Sequence, residues 1–427
     1  MKKESFLSVV PLLVFVLIFV GSGVYYGDFY ALPSPVAVMM SIMVAFFMFS
    51  APYSQKLTTF LEGCGNKNIL SMCLIYLLAG AFATVSKSIG SVDVLVHFGT
   101  QLLDVRYIPV GVFMLAGFLS LASGTSVGTI VALGPVALGF VEEASLNIHL
   151  VGAALLGGAM FGDNLSMISD TTIAATQSQG CKMKDKFKTN LLLALPAAVI
   201  TAVLYILLSD KGGEEMASAS SELPNLLLAL PYVAVIIGAL LGMNVFLVLI
   251  MGLFLSGGLG FIFTDMSFLA FGKSMYEGFS NMQEIFILSL LTGGLAAMVE
   301  KAGGISYILH KVKSGIRGKK SALLGIGGLV GLTDMATANN TIAILISGKI
   351  AKNISDEYRI SPRVSAAVLD IFSCIVQGVL PYGAQILILI SFSKQGIHYP
   401  TLMYYSFYPA LLLVAVLFSI FFRRKWE

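Results

Sequence analysis

The densest set of polar side chains in this chain lies inside an otherwise apolar stretch: Gly162-Asp163-Asn164-Leu165-Ser166-Met167-Ile168-Ser169-Asp170-Thr171-Thr172. It carries two carboxylates, an amide and four hydroxyls. An ionised aspartate at mid-bilayer costs about 2.5–3.5 kcal/mol on insertion scales. Such a residue persists where a cation, a proton or a water-filled cavity satisfies it. Oxygen donors suit a hard cation such as Na+, and a helix break near Gly162 would add free backbone carbonyls to its shell. Asp163 and Asp170 are seven residues apart, which puts them on one face of an unbroken helix about two turns apart. The expected ion ligands are Asp163, Asn164, Ser166, Ser169, Asp170 and Thr171. Asp163 and Asp170 are the pair that would carry the charge opposite Na+.

A second, uncharged set answers the first. Gln377-Gly378-Val379-Leu380-Pro381-Tyr382-Gly383-Ala384-Gln385 sits in another apolar stretch, and at a spacing of 214 Gln377 answers Asp163. Gly and Pro break a helix there. Two further stretches are apolar at both ends and polar in the middle. Ser123-Gly124-Thr125-Ser126 offers hydroxyls, whereas Thr333-Asp334-Met335-Ala336-Thr337-Ala338-Asn339-Asn340-Thr341 offers one carboxylate and two amides. Irregular backbone facing lipid is not tolerated, so such centres must be buried in protein or line water. They read as tips of re-entrant hairpins, whose half-helix ends present backbone dipoles to ions and solutes. Ser123, Thr125, Ser126, Asp334, Thr337, Asn339, Asn340, Thr341, Gln377 and Gln385 are the expected second side of the site, completing the cation shell or holding a second solute.

The elements that must carry these residues follow from composition. The chain has 427 residues, of which 57% are hydrophobic and only 11% charged, against roughly 25% charged in an ordinary soluble domain. That is too little charge to cover a soluble surface. It excludes a soluble enzyme, a nucleic-acid binder, a coiled coil and a disordered chain. Ten apolar runs read as spans: 6–25, 35–52, 69–85, 149–175, 190–208, 224–241, 245–263, 284–299, 364–391 and 402–422, with hairpins at 108–140 and 322–350. The first run is longer than the apolar core of a secretion signal and is kept as a span. Lys2 and Lys3, the run Lys182, Lys184, Lys186 and Lys188, the run Lys311 to Lys320, and the tail Arg423-Arg424-Lys425 fall on one side. The positive-inside rule makes that side cytoplasmic, so both termini are expected inside. The acidic stretches Glu142-Glu143 and Asp210–Glu222 fall outside.

The halves repeat. Gly80 and Gly293 are 213 apart, as are His97 and His310, and Glu62-Gly63 recurs as Glu277-Gly278. Gly124–Ile130 matches Ala336–Ile342 at 212. Five spans in each half, an odd number, turn the second half upside down relative to the first, as in inverted-repeat transporters. The expected fold is therefore an all-α polytopic membrane protein of two inverted repeats, 1–215 and 216–427, each with five spans and one re-entrant hairpin. The four cysteines have no metal or redox spacing. Asp370, inside an apolar span, reads either as a proton carrier or as the structural partner of a hydroxyl.

The run from Gly162 to Thr172 resembles the signature of the NhaC family of sodium/proton antiporters, in which Gly-Asp is followed by Ser-Pro and then Ser-Asp-Thr-Thr; Met167 stands here in place of the proline. The resemblance extends over most of the chain. It implies the architecture of the ion transporter superfamily, with an elevator-type movement, and exchange of Na+ for H+. It also implies that Asp163, Ser166, Ser169, Asp170 and Thr171 form the ion site. Relatives of the family move carboxylates or amino acids with ion coupling.

The expected function is thus secondary active Na+/H+ antiport across the cytoplasmic membrane, with Na+ and H+ competing for a buried carboxylate. The alternative is Na+- or H+-coupled transport of an amino acid or small carboxylate. No cofactor is expected beyond the transported Na+ and H+. The expected partners are those ions, a small organic solute under the alternative, and the lipid bilayer, with no nucleic acid; a homodimer is left open. An embedded enzyme would need a nucleophile and base or a histidine metal site within the spans, and the four histidines fall at or near loops.

Overall fold

The computed structural model describes residues 5–102, 104–209, 225–393 and 396–422. Lys2, Lys3, the acidic stretch 210–222, the boundary expected at 215/216 and the basic tail 423–425 lie outside the described residues.

The described chain is helical. In the first half, α1 (Val10–Tyr26), α2 (Ser34–Met48), α3 (Tyr53–Cys64), α4 (Lys67–Ser88) and α5 (Ser91–Leu102) are followed by a helical hairpin, α6 (Ile108–Ser123) and α7 (Ser126–Ala144). A broken span, α8 (Ile148–Leu165) and α9 (Asp170–Gln179), and the long α10 (Met183–Leu208) complete it. In the second half, α11 (Leu230–Leu240), α12 (Val245–Phe263), α13 (Phe268–Asn281), α14 (Gln283–Lys301) and α15 (Gly304–Ser314) precede the hairpin α16 (Lys319–Thr337) and α17 (Asn340–Glu357). The broken span α18 (Pro362–Val379) and α19 (Ala384–Phe392) follows, then α20 (Tyr399–Tyr405) and α21 (Phe407–Phe422), bent by 55°. The parts come in the same order in both halves. Proline in the first turn opens α1, α2, α6, α11, α18 and α20, where its missing N–H is no loss.

Among the described residues, eight helices are long and apolar enough to cross a membrane, nine counting the bent pair. Three expected spans, Val10–Tyr26, Ser34–Met48 and Leu226–Leu240, are apolar but shorter. Both arms of the first hairpin pass the same test singly, whereas α16 and α17 do not. The spans expected from hydropathy are helices, but α3, α5, α13 and α15 were not anticipated. They have an apolar strip rather than an apolar run, so a search for long apolar stretches passes over them.

Glycine sets how closely the helices meet. Gly80 of α4 lies against the backbone of Gly278 of α13, and Gly63 of α3 lies against Gly293 of α14; a Cβ on any of the first three would strike backbone. These pairs cross between the halves, each joining a glycine of one half to a glycine of the other. Two contacts join positions related by the repeat spacing itself. Cys73 Sγ donates to Phe286 O at 3.7 Å, 213 residues away, and Cys374 Sγ donates to Met160 O at 3.5 Å, 214 residues away. Positions related by a two-fold axis touch one another only at that axis.

Candidate functional site

Two helix breaks and two hairpin tips meet in the core. α8 runs beside α6, and a Cβ on Gly162 would collide with the Gly117 carbonyl, so Gly162 is spent on close packing. The break comes later than the expected one, at 166–169, where Ser166 and Ser169 are both extended. Thr172 Oγ1 donates to Ser166 O at 2.7 Å, and Ser166 Oγ accepts from Ile168 N at 3.3 Å. The turn is thus held by its own hydroxyls. The second break spans 380–383, with Leu380 and Gly383 extended and Pro381 between them.

The tips share one geometry. Gly124 and Ala338 are left-handed, and Thr125 and Asn339 are extended N-caps whose side chains accept from Gly128 N and Ile342 N. The equivalent positions are therefore 124 with 338 and 125 with 339, two residues on from the register given by matching letters. That register paired like residue types. The caps pair like dihedral angles, although Ala338, with φ 49°, carries a strain that Gly124 escapes.

Asp163, 6% exposed, is gripped at the first of these junctions. Its Oδ2 accepts from Ser126 Oγ at 2.8 Å and from Ser126 N at 3.3 Å, the first amide of α7. Its Oδ1 accepts from Ser169 Oγ at 2.5 Å, and that hydroxyl lies 2.8 Å from Thr171 Oγ1. Gln385 Nε2 donates to Ser126 Oγ at 3.1 Å, and Gln377 Nε2 donates to Gln385 Oε1 at 2.8 Å and to Ala338 O at 3.4 Å. One hydrogen-bonded string thus runs from Thr171 in the first half to Ala338 at the second tip, with Asp163 as its only carboxylate. The helix N-terminus facing that carboxylate favours negative charge.

Other expected residues are placed elsewhere. Asp170 is exposed in the first turn of α9, because the break turns it off the face it would share with Asp163 on a continuous helix. Ser166 is engaged in its own turn. Asn164, next to Asp163 and so roughly 100° round the helix, points to a different cluster and donates to Asp370 Oδ2 at 3.1 Å. At the tips, Ser123 Oγ is buried and unpartnered. Thr337 Oγ1 donates to Thr333 O and Asn339 O, and Asn340 Oδ1 accepts from Thr341 N. Asp334 is fully buried, with neither oxygen partnered among the described residues.

Lys186 was missed. The run 182–188 reads as a cytoplasmic loop, but α10 begins at Met183, and Lys186 is buried while Lys182, Lys184 and Lys188 are exposed. Its ammonium lies 2.7 Å from Asp370 Oδ2, and donates to Thr172 Oγ1 at 2.7 Å and Asn164 O at 2.9 Å. Asn190 Nδ2 donates to Asp370 Oδ2 at 2.8 Å and to Asn164 O at 3.0 Å. The ion pair therefore closes the freed carbonyl end of α8. Asp370 is thus the partner of an ammonium and two amides, not of a hydroxyl. A signal existed in the sequence: Lys186, Asn190, Leu193, Ala194, Ala197 and Thr201 lie on one helical face, and all are buried.

The family described as the "Na+/H+ antiporter family" matches the chain in two stretches, residues 6–209 and 220–423. The chain is 24% identical over 414 residues to the "Malate-2H(+)/Na(+)-lactate antiporter" of Bacillus subtilis, covering 90% of this chain and 88% of that one. It is 25% identical over 381 residues to the "Na(+)/H(+) antiporter NhaC" of the same organism, covering 81% and 82%. It is 22% identical over 405 residues to the "Arginine/ornithine antiporter ArcD" of Halobacterium salinarum, covering 86% and 81%. A multi-helix membrane chain matched along nearly its whole length belongs to the Na+/H+ antiporter family, a family of secondary active antiporters and not an enzyme class.

Proposed function

We propose that this chain exchanges Na+ for H+ across the cytoplasmic membrane, with Asp163 as the group for which the two ions compete. The observation that carries this reading is the setting of Asp163: a buried carboxylate at a helix break, ringed by the hydroxyls of Ser126, Ser169 and Thr171. With Asp163 ionised and Na+ present, those hydroxyls turn their oxygens to the cation, and hard oxygen donors suit it. A proton on the same carboxylate removes the charge that Na+ needs, so each ion excludes the other. Asp170, exposed in this conformation, and Asn164, turned to Asp370, are left outside the first shell.

The reading extends to alternating access by an elevator-type movement between two inverted repeats, 1–215 and 216–427, with both termini cytoplasmic. Supporting the repeats are the common order of parts, the paired caps at Thr125 and Asn339, and the two contacts between positions 213 and 214 residues apart. Ionised groups buried at helix breaks favour a site that is closed on one side at a time over an open pore.

The test is ΔpH-driven Na+ flux in proteoliposomes. Asp163→Asn keeps the shape of the side chain, one acceptor oxygen for Ser126 and an NH2 that the Ser169 hydroxyl can accept from, and removes the charge, so the protein should fold and its exchange should fall to the level of empty liposomes. Exchange at the wild-type rate in that variant would end the proposal.

A second reading is coupled transport of an amino acid or small carboxylate. It is favoured by the buried, unpartnered Oε1 of Gln377 and by the relatives whose names include malate, lactate, arginine and ornithine. Solute-dependent currents or uptake, with no Na+ flux driven by ΔpH alone, would select it.

A further inference from the structure

We infer that Asp334 is a second ionisable station, which holds a proton rather than Na+ in this conformation. The inference deepens the antiport reading and rests on it for its consequence, though not for its chemistry. Asp334 lies on α16, one turn before the tip, and is 0% exposed. Neither carboxyl oxygen has a partner among the described residues. The hydroxyls on its own helix are already committed, Thr333 to Leu329 O and Thr337 to Thr333 O and Asn339 O. Ser347 of α17 donates to Thr333 Oγ1, and Tyr382 donates to Met335 O. The titratable groups that face it are the thiol of Cys374 on α18 and the phenol of Tyr382, both uncharged donors. From the other helices packed on α16, namely α14, α15, α17 and α21, no ammonium, guanidinium or imidazole pairs with it among the described residues.

An ionised carboxylate with no donor and no counter-charge is not sustained in a low-dielectric interior. A hard cation wants a shell of roughly six oxygens, and among the described residues the side chains of the second tip and second break leave unpartnered only the two oxygens of Asp334 and Gln377 Oε1. One proton answers the shortage. It removes the charge, so that neither a donor nor a counter-ion is needed; Gln377 Nε2, which donates to Ala338 O at 3.4 Å, reaches the tip one turn beyond Asp334. Asp163 is the opposite case, with three donors around it. Competition at Asp163 alone trades one Na+ for one H+ and moves no net charge. A proton that Asp334 takes up on the leg without Na+ and releases before the leg with Na+ raises the exchange to two H+ for each Na+, which moves one net positive charge per cycle.

Two measurements decide this. In the infrared spectrum of the purified protein without Na+, a protonated carboxyl C=O stretch should persist in Asp163→Asn and vanish when Asp334→Asn is added to it. Asparagine has the shape of the neutral acid, so the variant should fold; Asp334→Leu, which must lose the same band, covers the case in which it does not. If neither variant loses a protonated carboxyl band, the inference is overturned. In proteoliposomes, a K+ diffusion potential should accelerate wild-type exchange and leave Asp334→Asn exchange unchanged. Potential dependence that survives in the variant also overturns it. A wild-type protein that exchanges no Na+ for H+ defeats the antiport reading, while the carboxyl band still decides the proton on Asp334.

Discussion

The two helix breaks do the same geometric work with opposite chemistry. Each frees backbone carbonyls that need donors. At the first break, Asn164 O is met by the Lys186 ammonium and the Asn190 amide, and Lys186 is in turn balanced by Asp370 from the other half. At the second, Val379 O accepts from Tyr399 OH at 2.5 Å and Pro381 O from Tyr30 OH at 3.0 Å. One break is tied by an ion pair and the other by phenols. The charged tie stands beside Asp163, where ions are proposed to exchange. The neutral tie stands beside Gln377 and Gln385, which are uncharged and are hydrogen-bonded to each other and to Ser126. A buried ammonium clamping the carbonyl end of α8 keeps the break open whether or not Asp163 is charged, because Asp370, not Asp163, is its counter-ion. The difference shows how two similar breaks can carry different chemistry: each half of the chain holds one, and the side chains around it decide which carries charge.

That contrast can be broken at the charged end first. Lys186→Met leaves Asp370 buried without its cation, and removing one partner of a buried pair costs about 3–5 kcal/mol. The thermal midpoint of the detergent-solubilised protein should fall steeply, and Lys186→Met combined with Asp370→Leu should recover much of the loss. A single mutant as stable as wild type would mean that the pair does not hold the break. Next comes the packing that seats the break. Gly162→Ala drives a methyl into the Gly117 carbonyl, an overpacking cost of about 1–3 kcal/mol. Because it shifts α8 against α6, Na+ protection against unfolding should weaken along with stability. The smallest effect belongs to the neutral break. Tyr399→Phe removes one neutral hydrogen bond, about 1 kcal/mol, and exchange in proteoliposomes should remain within a few-fold of wild type. If Tyr399→Phe cost as much as Lys186→Met, the division into a charged and a neutral tie would fail.

How far the sequence reaches can be judged residue by residue. Asp163, Ser169 and Thr171 stand out because polar atoms are rare in apolar runs, and their rarity is visible without a fold. The tips at Ser126 and Ala338 are legible from small polar residues between apolar arms. Lys186 reads as a loop charge because it stands among other lysines; the face it shares with Asn190, Ala194 and Ala197 becomes a signal only once α10 is known to begin at Met183. Asp170 errs the other way. A seven-residue spacing implies a shared face only while the helix continues, and the four residues at 166–169 cancel that relation. The hairpin register slipped by two for a related reason, since letters were matched where dihedral angles are what repeats.

The sequence by itself determined that this chain lives in lipid, that its halves echo one another, and that carboxylates are set among apolar residues, because hydropathy, spacing and composition are additive along the chain. The tertiary structure alone decided which of those carboxylates has donors, which has a lysine and which has nothing. Asp163, Asp334 and Asp370 are alike as letters, and their surroundings come from helices as far as 206 residues away in sequence. The free energy of a buried charge depends on those few ångströms of surroundings and not on its neighbours in the chain.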